Sequence, residues 1–298
     1  MSESEKKVSR RQFIGGTAGG LVVGALAGYG AGLSTAPREI IPGVATTVTE
    51  TATVPAPAKK IKAGFIYVGP VGDYGWSYGH DRGRKYVARL PWLDTIYAEK
   101  IADPEVGAAI DRMIAEGADV VFTTSFGYMD PTVAAGEKYP DKKFWHCSGY
   151  KRSENVGTYF AEFYQLYYLC GLAAAGVTKT NKIGYVAAHP IPEVIRHINA
   201  FVLGAREINP KIEAYVVWLF SWVDPAKARD AAVSLIESQN CDVLAFTEDT
   251  PTVLQVAEEY QGKGKPVWSF SHYSDMTQYG PKAHLTGQVV DWGLMYEY

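Results

Sequence analysis

The sequence predicts an α/β protein of two Rossmann-like lobes with parallel sheets, and three observations carry that prediction. From Ile61 onward, short β-rich runs alternate with amphipathic helical stretches, as in parallel sheets. Four helices open alike, at Asp103-Pro104, Asp130-Pro131, Asp224-Pro225 and Thr250-Pro251, each behind a candidate strand. One order of landmarks also occurs twice. Asp119-Val120-Val121-Phe122-Thr123 leads through Pro131-Thr132-Val133 and Tyr139 to Trp145 and Tyr150, and Asp242-Val243-Leu244-Ala245-Phe246-Thr247 leads through Pro251-Thr252-Val253 and Tyr260 to Trp268 and Tyr273. The spacing drifts by a residue or two, so this is one β-α-β unit used in each lobe and not a tandem array. At 298 residues the chain also exceeds one typical core.

The amino terminus reads as an address. Ser9-Arg10-Arg11-Gln12-Phe13-Ile14 resembles a twin-arginine export signal, and residues 15–33 behind it are uncharged and rich in Gly and Ala. A basic end stays at the cytoplasmic face while a mildly apolar helix enters the bilayer. Residues 1–36 are thus expected to be a signal or membrane anchor with Arg10 and Arg11 at its core. Cysteine is absent before Cys147, so any anchor is lipid-free. Residues 37–60, rich in Thr, Pro and Ala, suit an extended linker. This layout predicts an exported protein held at the extracytoplasmic face of the membrane.

Residues 61–180 are expected to form the amino-terminal lobe. Residues 63–68 read as its first strand. Behind Asp103-Pro104, with Asp as N-cap and Pro at the first helical position, Val106, Ala109, Ile110, Met113 and Ile114 fall on one helix face. The boundary is expected near Lys179-Thr180-Asn181-Lys182, between a helix over residues 162–176 and a strand over residues 183–186. Residues 181–298 are then the carboxyl-terminal lobe, ending in a strand over residues 283–290 with no room for a further helix and strand. The carboxyl end is therefore expected to be truncated, leaving the first lobe's sheet partly uncovered.

Composition narrows the chemistry. The net charge is −3, and the first 60 residues hold more basic than acidic side chains, so the body is more acidic still. An acidic body without a basic stripe argues against nucleic acid as a partner. Cys147, Cys170 and Cys241 fit neither a disulfide framework nor a zinc spacing and lie in or beside apolar runs, as buried thiols would. The histidines show no metal spacing, and the serine-hydrolase elbow, HExxH and Walker patterns are all missing. The expectation is therefore a protein without catalysis, cofactor or metal.

In parallel α/β sheets ligands meet the loops at the carboxyl ends of strands. First-lobe loops of this kind hold aromatic residues, with Trp76, Phe126, Gly127, Tyr128 and Tyr150 as candidate ligand contacts. Second-lobe loops hold Trp222, Asp249 and Asp275. Flat rings suit stacking on a π-face, and carboxylates accept hydrogen bonds from ring N–H or amino groups. Trp76 and Phe126 are expected to sandwich a small aromatic ligand while Asp249 reads its polar edge.

Gly75-Trp76-Ser77-Tyr78-Gly79-His80-Asp81-Arg82-Gly83-Arg84, Thr123-Thr124-Ser125-Phe126-Gly127-Tyr128-Met129, Pro190-Ile191-Pro192-Glu193-Val194-Ile195-Arg196 and His272-Tyr273-Ser274-Asp275-Met276 together resemble the basic membrane protein family of ABC-transporter substrate-binding proteins. The resemblance covers residues 60–298 and points to its purine nucleoside and nucleobase branch. It implies a type I periplasmic-binding-protein fold, a purine ligand closed between the lobes, and an ABC permease as membrane partner. The family's Asp-x-Ser-Phe-Asn motif is replaced here by Asp73-Tyr74-Gly75-Trp76-Ser77. The stacking role passes to Trp76 and the Asn contact is lost, which favours an adenine-like base over a nucleoside. The alternative in a different class is an extracytoplasmic sensing module of a signalling receptor.

Overall fold

The computed structural model describes residues 60–298. The export signal with Arg10 and Arg11, and the spacer behind it, lie outside the described residues. Five parallel strands form the first sheet: β1 (Ile61–Ile66), β2 (Leu93–Ala98), β3 (Val120–Thr123), β4 (Lys143–Cys147) and β5 (Val156–Tyr159), in the order β2-β1-β3-β4-β5. Five more form the second: β6 (Lys182–Ala187), β7 (Glu213–Trp218), β8 (Val243–Phe246), β9 (Trp268–Ser271) and β10 (His284–Gly287), in the order β10-β9-β8-β6-β7. The two orders are built on one plan. In each, the lobe's first strand lies between its second and third, so a topological switch point opens beside it.

Helices α1 (Trp76–Val87), α2 (Val106–Ala115) and α3 (Met129–Lys138) follow strands of the first sheet. Val106, Ala109, Ile110 and Met113 of α2 are buried together, as their spacing requires. Helices α5 (Pro192–Ile208), α6 (Pro225–Glu237) and α7 (Thr252–Gly262) play the same part in the second lobe. Of the four helix openings read alike in the sequence, only Asp224 acts as an N-cap, its carboxylate accepting from the Lys227 amide at 3.0 Å. Asp103 and Pro104 fall in a short 3-10 turn before α2, Asp130 lies inside α3, and Thr250 turns to Glu248 and Thr252. An Asp-Pro pair marks a helix start, but the preceding turn decides which residue caps it.

Two elements differ from the sequence reading. Helix α4 (Phe163–Val177), assigned there to the end of the first lobe, packs along α5 and against β9 and β10. The cause is a pair of close approaches: Gly171 lies against the Phe201 carbonyl, and Gly204 against that of Tyr168. The absence of Cβ atoms lets the two backbones touch. The second difference is at the carboxyl end, where Trp292–Glu297 form a helix, α8, although no helix was expected there. The Asp291 carboxylate caps it through the Gly293 amide at 3.0 Å. It returns to the first lobe and packs on α1. There Trp292 stacks on His80 at 4.5 Å between ring centres, and Tyr296 packs edge-on against Phe65 and Phe122. Two large aromatic side chains supply enough apolar area to draw this short segment across. Beside it, Trp145 and Met295 remain well exposed along a groove bordered by Tyr159 and Tyr296. Cys147, Cys170 and Cys241 are all buried and unpaired. Among the described residues no helix is long and apolar enough to cross a membrane.

Candidate functional site

The loop between β1 and α1 is held by Asp73. Its carboxylate accepts from the amides of Gly75 at 2.9 Å, Ser77 at 3.1 Å and Tyr78 at 2.9 Å, covering the otherwise unpaired donors at the start of α1. Burial nevertheless outweighs these bonds and lifts the Asp73 carboxyl to about 6. Ser77 Oγ accepts from the Gly69 amide at 3.0 Å and closes the loop on itself. Trp76, the first residue of α1, is thereby fixed at the switch point of the first sheet. Its indole N–H donates to the Thr124 carbonyl behind β3, and its ring meets Tyr273 edge-on at 4.8 Å.

Trp76 lines a cavity of about 270 Å³ together with Val68, Ser125, Phe126, Ser148, Glu193, Trp222, Asp249 and Tyr273. The first four, with Ser148, leave the strand ends of the first sheet, and the last four come from the second lobe. Both switch points therefore feed one space. Ser148 and Tyr273 hold φ of 73° and 63°, and neighbouring Tyr74 holds 62°. Left-handed backbone at non-glycine residues costs about 1–3 kcal/mol each and concentrates at ligand sites.

The lobes meet around this cavity. Ser148 Oγ donates across to Glu193, which also accepts from the Tyr273 hydroxyl at 3.1 Å. The Ser274 hydroxyl donates to the Tyr74 carbonyl, and the Tyr74 and Tyr279 rings meet edge-on at 5.0 Å. A Cβ added to Gly75 would lie 2.6 Å from the carbonyl oxygen of Asp249 in the opposite lobe. Only glycine permits that approach.

Electrostatically the site is one-sided. Asp249 is 1% exposed, and neither of its carboxylate oxygens has a hydrogen-bond partner among the described residues. Burial raises its carboxyl well above the usual range, reinforced by the negative charges of Asp73, Glu248 and Glu193. Glu248 is pushed up to about 8, mainly by burial. Glu193 is raised for the same reason, against the pull of its Ser148 and Tyr273 bonds. Among the described residues no basic side chain lines the cavity. Among the described residues no cluster of His, Cys, Asp and Glu is arranged to hold a metal ion.

Of the residues singled out from the sequence, the structure brings Trp76, Phe126, Trp222 and Asp249 to the cavity. Gly127 sits at a shallower recess beside it, with Asp103, His189 and Trp222. Three residues lie elsewhere. Tyr128 turns into the first-lobe core, its hydroxyl donating to the Ile101 carbonyl at 2.5 Å, because three residues per turn in the 3-10 segment Phe126–Tyr128 point Phe126 and Tyr128 about a third of a turn apart. Tyr150 is 69% exposed, and Asp275 is exposed and spends its carboxylate on the amide and hydroxyl of Thr277. Glu193, Ser148 and Tyr273 line the cavity without having been singled out. Each stands in a strand-end loop or helix start, but a Glu in the first turn of a helix reads locally as a partner of the helix dipole. Its burial comes from Ser148 of the facing lobe together with Tyr273 behind β9, neither near it in the sequence.

Two parallel sheets presenting their switch-point loops to one enclosed, aromatic-lined cavity define a two-lobed solute-binding protein. Residues 60–298 match the family described as ABC transporter substrate-binding protein PnrA-like, and the chain belongs to that family. It is 40% identical to a purine-binding protein of Brucella abortus (strain 2308), over 80% of this chain and 67% of that protein. It is also 40% identical to a putative ABC transporter glucose-binding protein of Haloferax volcanii, over 81% of this chain and 61% of that one. The chain thus spans roughly two thirds of the length of these relatives. Among solved structures, an ABC transporter solute-binding protein from Aeropyrum pernix K1 is similar with a TM-score of 0.71 and 18% identity, over 78% of this chain and 68% of that one. That likeness bears out the type I periplasmic-binding-protein fold.

Proposed function

We propose that this chain is the extracytoplasmic binding component of an ABC importer and that its cavity takes a purine, as the free base in preference to the nucleoside. The observation that carries the reading is the cavity lining: Trp76, Phe126, Trp222 and Tyr273 beside two buried carboxylates, with no basic group among the described residues. Aromatic walls favour a flat π-system, and buried carboxyl groups need hydrogen-bonding partners that such a ring's edge supplies. The same lining disfavours phosphorylated or carboxylated ligands, which would meet Glu193 and Asp249. With Trp76-Ser77 where the family carries Phe-Asn, the Asn contact is lost, which favours a base over a base with ribose. The name of the Brucella relative supports a purine; that of the Haloferax relative supports a sugar.

Function would follow from closure. A ligand touching both lobes favours the closed form, in which Ser148 bonds to Glu193 and Ser274 to Tyr74, and that form docks on the permease. The export signal at Arg10 and Arg11 would deliver the protein to the membrane's outer face, and residues before Lys60 would take no part in binding. Calorimetric titration with adenine, adenosine, adenosine monophosphate and glucose tests the proposal, on the full chain and on one beginning at Lys60. Adenine is expected to bind most tightly, equally to both chains, and the nucleotide not at all. Binding of glucose with no response to any purine would overturn it.

A further inference from the structure

Among the acids that line the cavity, Asp249 is the one whose two carboxylate oxygens both lack a hydrogen-bond partner among the described residues. It leaves β8 at the second switch point, with its amide donating to the Trp222 carbonyl at 2.8 Å. Its backbone is pressed against Gly75 of the other lobe, the residue lines the cavity, and its carboxylate oxygens make no full hydrogen bond among the described residues, with only a weak pull from the Trp76 amide. The ionisable groups that face it are Asp73 from the loop after β1, its neighbour Glu248, Glu193 from α5 and the Tyr273 hydroxyl behind β9. None of these is a cation. A carboxylate here would be an isolated buried anion among three other acids, whereas the neutral acid removes that repulsion.

Resting on the purine reading of this cavity, we infer that Asp249 recognises its ligand as an un-ionised carboxylic acid, one oxygen donating and the other accepting. The ligand edge that complements it carries an acceptor ring nitrogen beside an exocyclic amino group, as in a 6-aminopurine or a 4-aminopyrimidine. Asp249 O–H donates to the ring nitrogen, and its carbonyl oxygen accepts from the amino group. Passing the proton to the ring nitrogen yields the same two bonds as a carboxylate–amidinium pair, so the complex adds no net negative charge beside the surrounding acids wherever the proton sits. A ligand edge with two donors and no acceptor lacks a place for that proton.

The inference has a proton balance. Opening the lobes admits water to Asp249 and returns it toward the ordinary carboxyl range, and closing raises it again. Closure on the ligand therefore takes up a proton, and affinity falls as pH rises between those two limits, by up to about tenfold per pH unit. Asparagine offers a donor and an acceptor in the same place without titrating, and it pairs with the N6/N7 edge of adenine in just this way.

The experiment is isothermal titration of adenine into the parent, Asp249→Asn and Asp249→Ala proteins, from about pH 6 to about pH 9, in buffers of differing ionisation enthalpy. Thermal melting confirms that each is folded. The parent is expected to take up about one more proton than the Asn variant, whose affinity should stay within about threefold of the parent near pH 6 and vary less with pH. The Ala variant should bind at least about tenfold more weakly. Glu248 titrates in all three proteins, so the difference between parent and Asn isolates Asp249. If the Asn variant loses as much affinity as Ala while remaining folded, or if both take up the same number of protons as the parent, Asp249 acts as an ordinary carboxylate and the inference is overturned. Failure of the parent to bind any purine at any pH would instead overturn the purine reading beneath it.

Discussion

Replacing Gly75 by alanine should weaken ligand binding without unfolding the protein, although Gly75 does not line the cavity. The added Cβ would lie 2.6, 2.8 and 2.9 Å from the carbonyl oxygen, Cα and carbonyl carbon of Asp249, where ordinary contact begins at 3.4 Å. The overlap is thus roughly 0.5–0.8 Å, against main chain that no rotamer change can clear. Opening the lobes relieves it at once. The penalty therefore falls on the closed form, and overpacking of this depth costs about 1–3 kcal/mol. Affinity should fall by roughly 5- to 150-fold. Calorimetry with adenine measures the loss, thermal melting of the ligand-free protein checks the fold, and small-angle scattering with ligand should show a larger fraction of open molecules. Parent-like affinity in a folded Gly75→Ala protein would refute the reasoning, because the lobes could not then meet at this point when ligand is bound.

Phe126→Ala should cost about 1–3 kcal/mol in ligand affinity with little change in melting temperature, since its half-buried ring serves the cavity more than the core. Trp76→Ala should lose that affinity and also about 3–5 kcal/mol of stability, because Trp76 is 6% exposed and packs on Tyr273 and Trp292. Equal melting temperatures for the two variants would contradict this division. Glu193→Ala removes the shared acceptor of Ser148 and Tyr273 and should weaken binding by about 1–3 kcal/mol, measured by titration at constant pH. Stability should also depend on pH. Glu248 titrates near 8 when folded against an ordinary 4.5, so between those values the folded chain holds the extra proton. Stability is complete below the lower value and declines as pH rises through the window, by at most about 1.4 kcal/mol per pH unit. Asp73 adds the same trend between 3.8 and about 6. Melting curves should therefore show Glu248→Gln flattening the decline toward pH 8, and identical slopes for variant and parent would count against it.

The two-lobed parallel architecture is legible in the chain's local patterns, because strand and helix periodicity and the repeated unit are what burial on both sheet faces requires. Strand ends also locate the cavity's neighbourhood, since loops there face the switch points, and Trp76, Phe126, Trp222 and Asp249 are legible as cavity residues for that reason. Tertiary structure alone decided which residues of those loops face the cavity. Tyr128, two residues beyond Phe126, turns into the core, and Tyr150 and Asp275 stay at the surface. It likewise decided that Glu193 is buried against Ser148 and Tyr273, that α4 lies along α5, and that α8 crosses back to the first lobe. The physical reason is common to all of these. Periodicity reports the face a residue presents to its own element, whereas burial of a loop carboxylate, or the docking of a short helix through Trp292 and Tyr296, depends on surface contributed by residues far away in the chain.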